Sequence, residues 1–324
     1  MKLQQLRYIV EVSNNKLNVS TTAEHLFTSQ PGISKQIKIL EDELGIEIFM
    51  RTGKHLTEVT ASGEKVIQLA REVLAKVDSI KRVAEEEVAP EQGELSISTT
   101  HTQARYALPE TIKVFKAKYP DVRLNMHQGT TKQILDSVTK GRVQFAIATE
   151  IIDNSQEIMM LPCYQWRRSL VVTKNHPLAK KKRITLTDLA NYPLITYAFS
   201  IESSQGLNRI FKDKGLEPNL AFTATDAEVI KTYVKLGVGI GLIANMAVND
   251  DHHGELVFID TSHIIPPSTT YLYFRRGTYL RSYMYEFIFQ FAPHLTKNQI
   301  EKVMLARDCS EAMEIFSSLN LPLR

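Results

Sequence analysis

The chain has 324 residues, 43% of them hydrophobic and 23% charged, which predicts two or three folded domains rather than a disordered or fibrous chain. Its formal net charge is only +3, so a nucleic-acid surface has to come from where the basic residues lie, not from their excess. No apolar run is long enough to span a bilayer, no signal peptide opens the chain, and Cys163 and Cys309 stand far apart, so the sequence reads as cytoplasmic, without a disulfide framework or a cysteine zinc site.

Residues 1–60 are dense in short helical patterns. Ser20 is placed to cap a helix through Thr21, Ala23 and Leu26, and Ala23 is small enough to let a second helix cross closely. A turn over Phe27-Thr28-Ser29-Gln30 leads to Pro31 at the first helical position, where a missing N–H costs nothing. Ile33, Ile37, Leu40 and Leu44 follow at helical spacing as the buried stripe, and Gly45 ends the helix. The opposite face carries Ser34, Lys35 and Lys38, with Glu41, Asp42 and Glu43 at its far end. That polarity suits a helix entering the major groove by its N-terminal part. Gln30 can pair with adenine, and lysines can contact guanine or phosphate. Beyond Gly45, Ile46-Glu47-Ile48-Phe49 and the basic stretch Arg51, Gly53, Lys54 and His55 predict a short hairpin, a wing on the DNA backbone. The candidate DNA-contacting residues are Ser29, Gln30, Pro31, Ser34, Lys35, Lys38, Arg51 and Lys54. The alternative is a small helical domain with a solvated charged face.

Residues 61–88 form one long amphipathic helical stretch. Val66, Ala70, Val73, Val77, Ile80 and Ala84 recur at steps of four and three, a heptad seam flanked by charged residues. The seam either pairs two chains or packs on its own chain; paired chains would carry two reading heads to two half-sites. Ala89-Pro90-Glu91-Gln92-Gly93 then marks a hinge.

After Gly93 the strand-like runs Leu95–Ser98, Val122–Met126, Phe145–Ala148 and Ser169–Val172 alternate with helical patterns, which predicts α/β units on largely parallel sheets. The tail from about Lys297 is helical again. The first strand ends at Ser98 and a helix starts between His101 and Gln103. Such turns at the carboxyl ends of parallel strands bind ligands, and the free N–H groups of a helix start favour an anion. Thr99, Thr100, Thr102 and Gln103 add neutral donors there, or the threonines simply cap the helix.

Other patterns carry less. Gly237-Val238-Gly239-Ile240-Gly241 follows a helix rather than a strand and reads as a tight connection, not a nucleotide loop. Thr225-x-x-Glu228 reads as a capping box. Lys180-Lys181-Lys182-Arg183 reads as a solvated loop, and His252-His253 beside Asp250-Asp251 reads as an exposed loop, with a metal site as the alternative. No nucleophile with a nearby base is recognisable, so no catalytic residue is assigned.

The run Ser29-Gln30-Pro31-x-Ile33-Ser34-x-Gln36-Ile37-x-x-Leu40-Glu41-x-Glu43-Leu44-Gly45-x-x-x-Phe49, continued by Leu56-Thr57-x-x-Thr60-x-x-Gly63, resembles the signature of LysR-type transcription regulators. Downstream, Thr99 to Pro109, Phe145 to Glu150, Thr223 to Asp226, Val229 to Val234 and Arg281 to Tyr285 resemble the cysteine-regulon and sulfur-assimilation branch of that family. The resemblance implies an α+β multidomain chain. A winged helix-turn-helix would occupy 1–60, and a dimerisation helix with hinge 61–92. A two-lobed α/β effector domain of the type II periplasmic-binding-protein type would occupy 93–324. Lobe I would take about 93–162 and 266–324, and lobe II about 163–265.

It also implies an anion-binding effector site from Thr100, Thr102, Gln103 and Thr149, with Trp166 near it. Here the chain departs from the family pattern: after Thr196-Tyr197-Ala198-Phe199, Glu202 stands where relatives place a ligand-facing threonine. Either Ser203 or Ser204 supplies that hydroxyl or the effector differs. The implied partners are double-stranded promoter DNA, an acetylserine-like inducer, sulfate or a related anion, RNA polymerase, and further copies of the chain in a homodimer or homotetramer. No cofactor, metal or membrane is implied. The implied function is activation of cysteine-biosynthesis and sulfur-assimilation genes. A regulator of another pathway, and a solute-binding or enzymatic α/β protein, are the alternatives; the latter two leave residues 18–60 unexplained.

Overall fold

The computed structural model describes residues 1–53, 55–149, 157–202, 206–250 and 254–324, with the side chains of residues 202, 249 and 250 outside the description. Two compact units make up the chain: Met1–Val88 with Gly277–Tyr279, and Ala89–Arg276 with Leu280–Arg324.

In the first unit, helices α1 (Leu3–Asn14), α2 (Val19–His25) and α3 (Gln30–Leu44) precede an antiparallel hairpin, β1 (Phe49–Thr52) and β2 (His55–Val59), and a long helix α4 (Ala61–Val88). Ile9, Val12, Ala23, Ile33, Ile37, Leu40, Ile48 and Phe49 share a core with Ile67 and Ala70 of α4. Asn18, not Ser20, caps α2: its side chain accepts the Thr21 N–H at 3.0 Å, which leaves Ser20 inside the helix. Ser29 caps α3 by accepting the Gly32 N–H, so Pro31 is its second residue rather than its first. Gly45 ends α3 with φ +68°, a left-handed conformation that glycine adopts without strain.

The buried face of α3 departs from the expected stripe at its end. Leu44 is 39% exposed, whereas Glu41 is only 3% exposed. Glu41 Oε1 accepts the N–H groups of Ile48 at 2.9 Å and Phe49 at 3.1 Å, and Oε2 takes the Arg51 guanidinium at 2.7 Å. The carboxylate therefore fixes the entry to the wing. At the exit from the wing, Thr60 Oγ1 donates to Glu47 O and accepts the Gly63 N–H. A Cβ on Gly63 would lie 2.1 Å from Ile48 O, so only glycine lets α4 cross the backbone there.

Helix α4 is one unbroken helix whose Gly63, Ile67, Ala70 and Ala75 are buried within the unit. The expected seam is thus split. Ala70 is buried and Val66 packs partly against the helices of its own unit. Val73 is 42% exposed and Ile80 70% exposed, and Leu69 and Val83 are exposed beside them. The first turns of α4 help cover α1, which rotates the remaining apolar stripe toward Leu69, Val73, Ile80 and Val83.

The second unit is built on two five-stranded sheets. The first has the order β4 (Val122–Gln128), β3 (Gly93–Thr99), β5 (Phe145–Ala148), β12 (Ser268–Arg275), β6 (Ile158–Trp166). The second has the order β11 (Leu256–Asp260), β7 (Arg168–Thr173), β10 (Ile240–Ala244), β8 (Leu194–Tyr197), β9 (Leu220–Ala224). The expected strand runs fall inside β3, β4, β5 and β7, but the sheets are mixed rather than largely parallel. Strand β3 runs parallel to β4 and β5, and β8 to β9 and β10, whereas β12 and β7 are antiparallel to both their neighbours. The antiparallel members are the strands that follow a crossing between the lobes, so no right-handed helical crossover sets their direction.

Strand β6 stays in the first sheet as far as Trp166, paired with Ser268, so the lobe boundary lies at Arg167 and not near residue 162. Helices α5 (Pro109–Lys118), α6 (Thr131–Thr139) and α11 (Ser282–Phe291) belong to the first lobe, and α7 (Leu186–Ala190), α8 (Ala198–Glu202), α9 (Leu207–Lys212) and α10 (Ala227–Lys235) to the second. The tail forms α12 (Lys297–Leu305) and α13 (Cys309–Glu314). Phe115, Phe145, Phe287 and Phe291 fill the first lobe, and Leu170, Leu194, Phe211 and Leu242 the second.

Gly239 makes the tight connection before β10: a Cβ there would lie 2.2 Å from Pro193 O. Both cysteines are free and buried, and burial pushes the Cys163 thiol up to about 12 and Cys309 to about 11. Among the described residues no helix is long and apolar enough to cross a membrane.

Candidate DNA interface and effector site

Helix α3 exposes Ser29, Gln30, Pro31, Lys35 and Lys38, with Ser34 half-buried beside them. A groove of about 300 Å³ runs along it, lined by Gln30 and Ser34 of the helix and by Arg51 and Gly53 of the hairpin. Helix and wing thus bring three of the expected residues to one concave face. Gln30 Nε2 donates to Ser34 Oγ at 3.3 Å, a weak bond between exposed groups that a base edge can replace. Lys38 pairs with Asp42 at 3.0 Å, also in the open, where such a pair contributes little and is readily exchanged for phosphate. Arg51 is different, because its guanidinium is already engaged by the buried Glu41. Lys54 lies outside the described residues.

In the second unit a cleft of about 570 Å³ lies between the lobes. The first lobe contributes Thr100, Thr130 and Lys132; the second contributes Ala198, Phe199 and Thr225. Thr225 is available because Asp226, not Thr225, caps α10 by accepting the Glu228 N–H at 3.0 Å; the expected capping box does not form. Behind the cleft, Tyr106 of the first lobe donates to Glu228 Oε1 of the second at 2.6 Å, and the buried Lys231 sits 2.6 Å from the same oxygen. Burial works against the Glu228 charge, but the bonds from Lys231 and Tyr106 outweigh it and hold the carboxyl below its usual range.

The helix after β3 opens as a short π-helical segment, Gln103–Ala107. Thr100 Oγ1 accepts the Gln103 N–H at 3.3 Å, so this threonine both caps the turn and lines the cleft. Gln103 is the expected ligand that the structure turns elsewhere. Its Nε2 donates to Thr270 Oγ1 at 3.1 Å and its Oε1 accepts the Tyr164 hydroxyl, so both ends of the amide are engaged inside the first lobe. Thr149 follows β5 half-buried, and Trp166 is buried at the end of β6. Glu202 closes α8; its side chain, and Ser203 and Ser204, lie outside the described residues, as do Asp251, His252 and His253.

Sequence reasoning missed one functional candidate altogether. Arg168, the first residue of β7, is 6% exposed. Its Nη1 donates to Ser268 Oγ at 2.8 Å and its Nη2 to Ser200 Oγ at 3.2 Å, while its Cζ lies 4.8 Å from the Trp166 ring centre. Burial lowers its guanidinium to about 10. Arg167 and Arg168 stand side by side at the crossing, and nothing in the pattern shows which of the two is buried.

Comparison with known proteins follows this division of the chain. The profile of the bacterial regulatory helix-turn-helix protein, lysR family, matches residues 3–64, and that of the LysR substrate binding domain matches residues 89–295. The HTH-type transcriptional regulator CysB of Haemophilus influenzae is 48% identical over 321 residues, covering 99% of both chains. The regulator SsuR of Burkholderia cenocepacia is 43% identical over 300 residues, covering 93% of this chain and 97% of its own. Among solved structures, the cofactor-binding domain of the Cbl transcriptional regulator superposes with a TM-score of 0.63 at 38% identity, covering 66% of this chain and 95% of its own. Full-length OxyR from Pseudomonas aeruginosa shares the fold, with a TM-score of 0.67 at 22% identity, over 91% of this chain and 99% of its own. With a helix-turn-helix unit, a two-lobed effector domain and these relatives along its length, the chain belongs to the LysR family of DNA-binding transcriptional regulators.

Proposed function

We propose that this protein activates cysteine-biosynthesis and sulfur-assimilation genes, reading its operator through α3 and the wing and sensing a small anionic effector in the interlobe cleft. It acts as a homodimer or homotetramer with RNA polymerase as a further partner. The observation that carries this reading is the 48% identity to CysB across 99% of both chains. The test is footprinting of the full-length protein on promoters of cysteine-biosynthesis genes with and without N-acetylserine. Protection no stronger than on scrambled DNA, and indifferent to the ligand, would sink the reading.

Within the reading head, base and phosphate contacts separate by their signatures. Gln30→Ala is expected to cost about 1–3 kcal/mol on the cognate operator and to leave binding to scrambled DNA nearly unchanged. Lys38→Ala is expected to weaken binding to both and to lower the salt slope by about one. An equal loss on both DNAs for Gln30→Ala, or an unmoved slope for Lys38→Ala, reverses the respective role.

Glu202 supports a second reading, a regulator of the same family with a different effector. A carboxylate facing the cleft opposes a bound dianion by on the order of 4 kcal/mol at about 4 Å and an effective dielectric near 20. Glu202→Thr is then expected to strengthen sulfate binding and to weaken binding of amino-bearing ligands such as O-acetylserine. Titration calorimetry that finds both affinities unchanged places Glu202 outside the site.

A further inference from the structure

Two buried donors at the junction of the lobes have no hydrogen-bond partner among the described residues: Trp166 Nε1 and Arg168 Nε, on side chains stacked 4.8 Å apart. Buried polar groups are almost always satisfied, so two neighbouring orphans mark a missing partner. Here the polarity is one-sided. Trp166 Nε1 and Arg168 Nε can only donate. The missing group is therefore acceptor-rich.

The charge points the same way. Two neutral serine hydroxyls are the partners of Arg168 Nη1 and Nη2, and no carboxylate is paired with it among the described residues. A buried guanidinium without a counter-anion is strongly unfavourable unless an anion completes it. The position fits a ligand. Arg168 begins β7 just after one crossing between the lobes, and Ser268 begins β12 just after another. Ser200 follows Phe199 on α8, and Phe199 forms part of the cleft wall while packing edge-on to Trp166, with ring centres 6.5 Å apart. The orphaned donors thus lie one aromatic ring behind the cleft.

We propose that Arg168 is the counter-charge of the effector site, and that the effector carries a carboxylate or similar planar anion which the free Arg168 Nε and Trp166 Nε1 receive. A carboxylate matches the edge of a guanidinium, where Nε and one Nη lie side by side. The proposal rests on the reading of the cleft as the effector site. It adds that the neutral threonines and Gln103 do not define the ligand's charge, and that Arg168 does.

The test uses full-length protein and two probes, N-acetylserine and its uncharged primary amide, in titration calorimetry. The wild type is expected to prefer the acid by about tenfold or more, the difference that a charge-assisted bond makes. Arg168→Met and Arg168→Gln are expected to bring the two affinities within about twofold of each other, whereas Arg168→Lys keeps part of the preference. Thr100→Val is expected to weaken both probes alike. A wild type that binds both probes equally, or a preference that survives in Arg168→Gln, overturns the role of Arg168 while the cleft reading stands. A wild type that binds neither probe, or a Thr100→Val protein with both affinities unchanged, overturns the cleft reading and this proposal with it.

Discussion

Replacing Glu41 by alanine is expected to destabilise the first unit by on the order of 3–5 kcal/mol, enough to empty a marginally stable domain of its folded form. The substitution removes the acceptor of two N–H groups, those of Ile48 and Phe49, at the entry to the wing. Each buried donor left without a partner costs about 1–3 kcal/mol. Arg51→Ala is expected to cost less, because Glu41 keeps its two backbone donors. The measurement needs a probe of this unit alone. The single tryptophan, Trp166, lies in the other unit, so its fluorescence is blind to the event and amide hydrogen exchange over α3 and the hairpin is the direct readout. A loss below about 1 kcal/mol for Glu41→Ala would mean that water replaces the carboxylate at no cost. The same geometry makes Arg51→Ala a poor probe of phosphate contact, since it perturbs the wing and the charge together; Lys38→Ala is cleaner.

The second large effect is expected on assembly. Val73→Glu with Ile80→Glu places two carboxylates on the exposed stripe of α4, where a partner helix would have to desolvate them at a cost of several kcal/mol. Full-length protein is expected to sediment as a smaller species and to lose at least about a hundredfold in operator affinity, because one reading head then binds alone. Both side chains are exposed within their own unit, so the helix itself is expected to persist in circular dichroism. Unchanged sedimentation together with unchanged operator affinity would show that the stripe pairs with nothing.

What the sequence disclosed was what local chemistry decides. Gly45 acts through its own backbone and ends the helix where its residue type puts it, whereas the start of α3 lies one residue earlier than Pro31 alone suggests, because Ser29 takes the cap. The larger failures need a distant segment. Glu41 reads as one of three acids at the end of a helix until the wing returns its N–H groups to it. Leu44 reads as core until Glu41 takes the buried place beside Leu40. The heptad steps were legible, but not the demand of α1 for cover, which uses Ala70 and Val66 and leaves Val73 and Ile80 over. In the cleft, Thr100 was legible as part of a strand-to-helix turn. The inward turn of Gln103 depends on Tyr164 and Thr270, and the burial of Arg168 on Ser200 and Ser268, none of them near in sequence.

The place of β12 in the first sheet bears on how the protein is made. It lies between β5 and β6, yet the chain traverses the entire second lobe before reaching it. During synthesis the reading head can fold as soon as α4 emerges. The second lobe follows, while β5 and β6 wait with unpaired edges that invite pairing between nascent chains. The first lobe is begun first and closed last, so its slowest step is a long-range strand insertion rather than local helix formation. Any change that delays the second lobe, such as one in the core around Phe211 and Leu242, is therefore expected to show itself as aggregation through the first lobe, although no residue of that lobe has been altered.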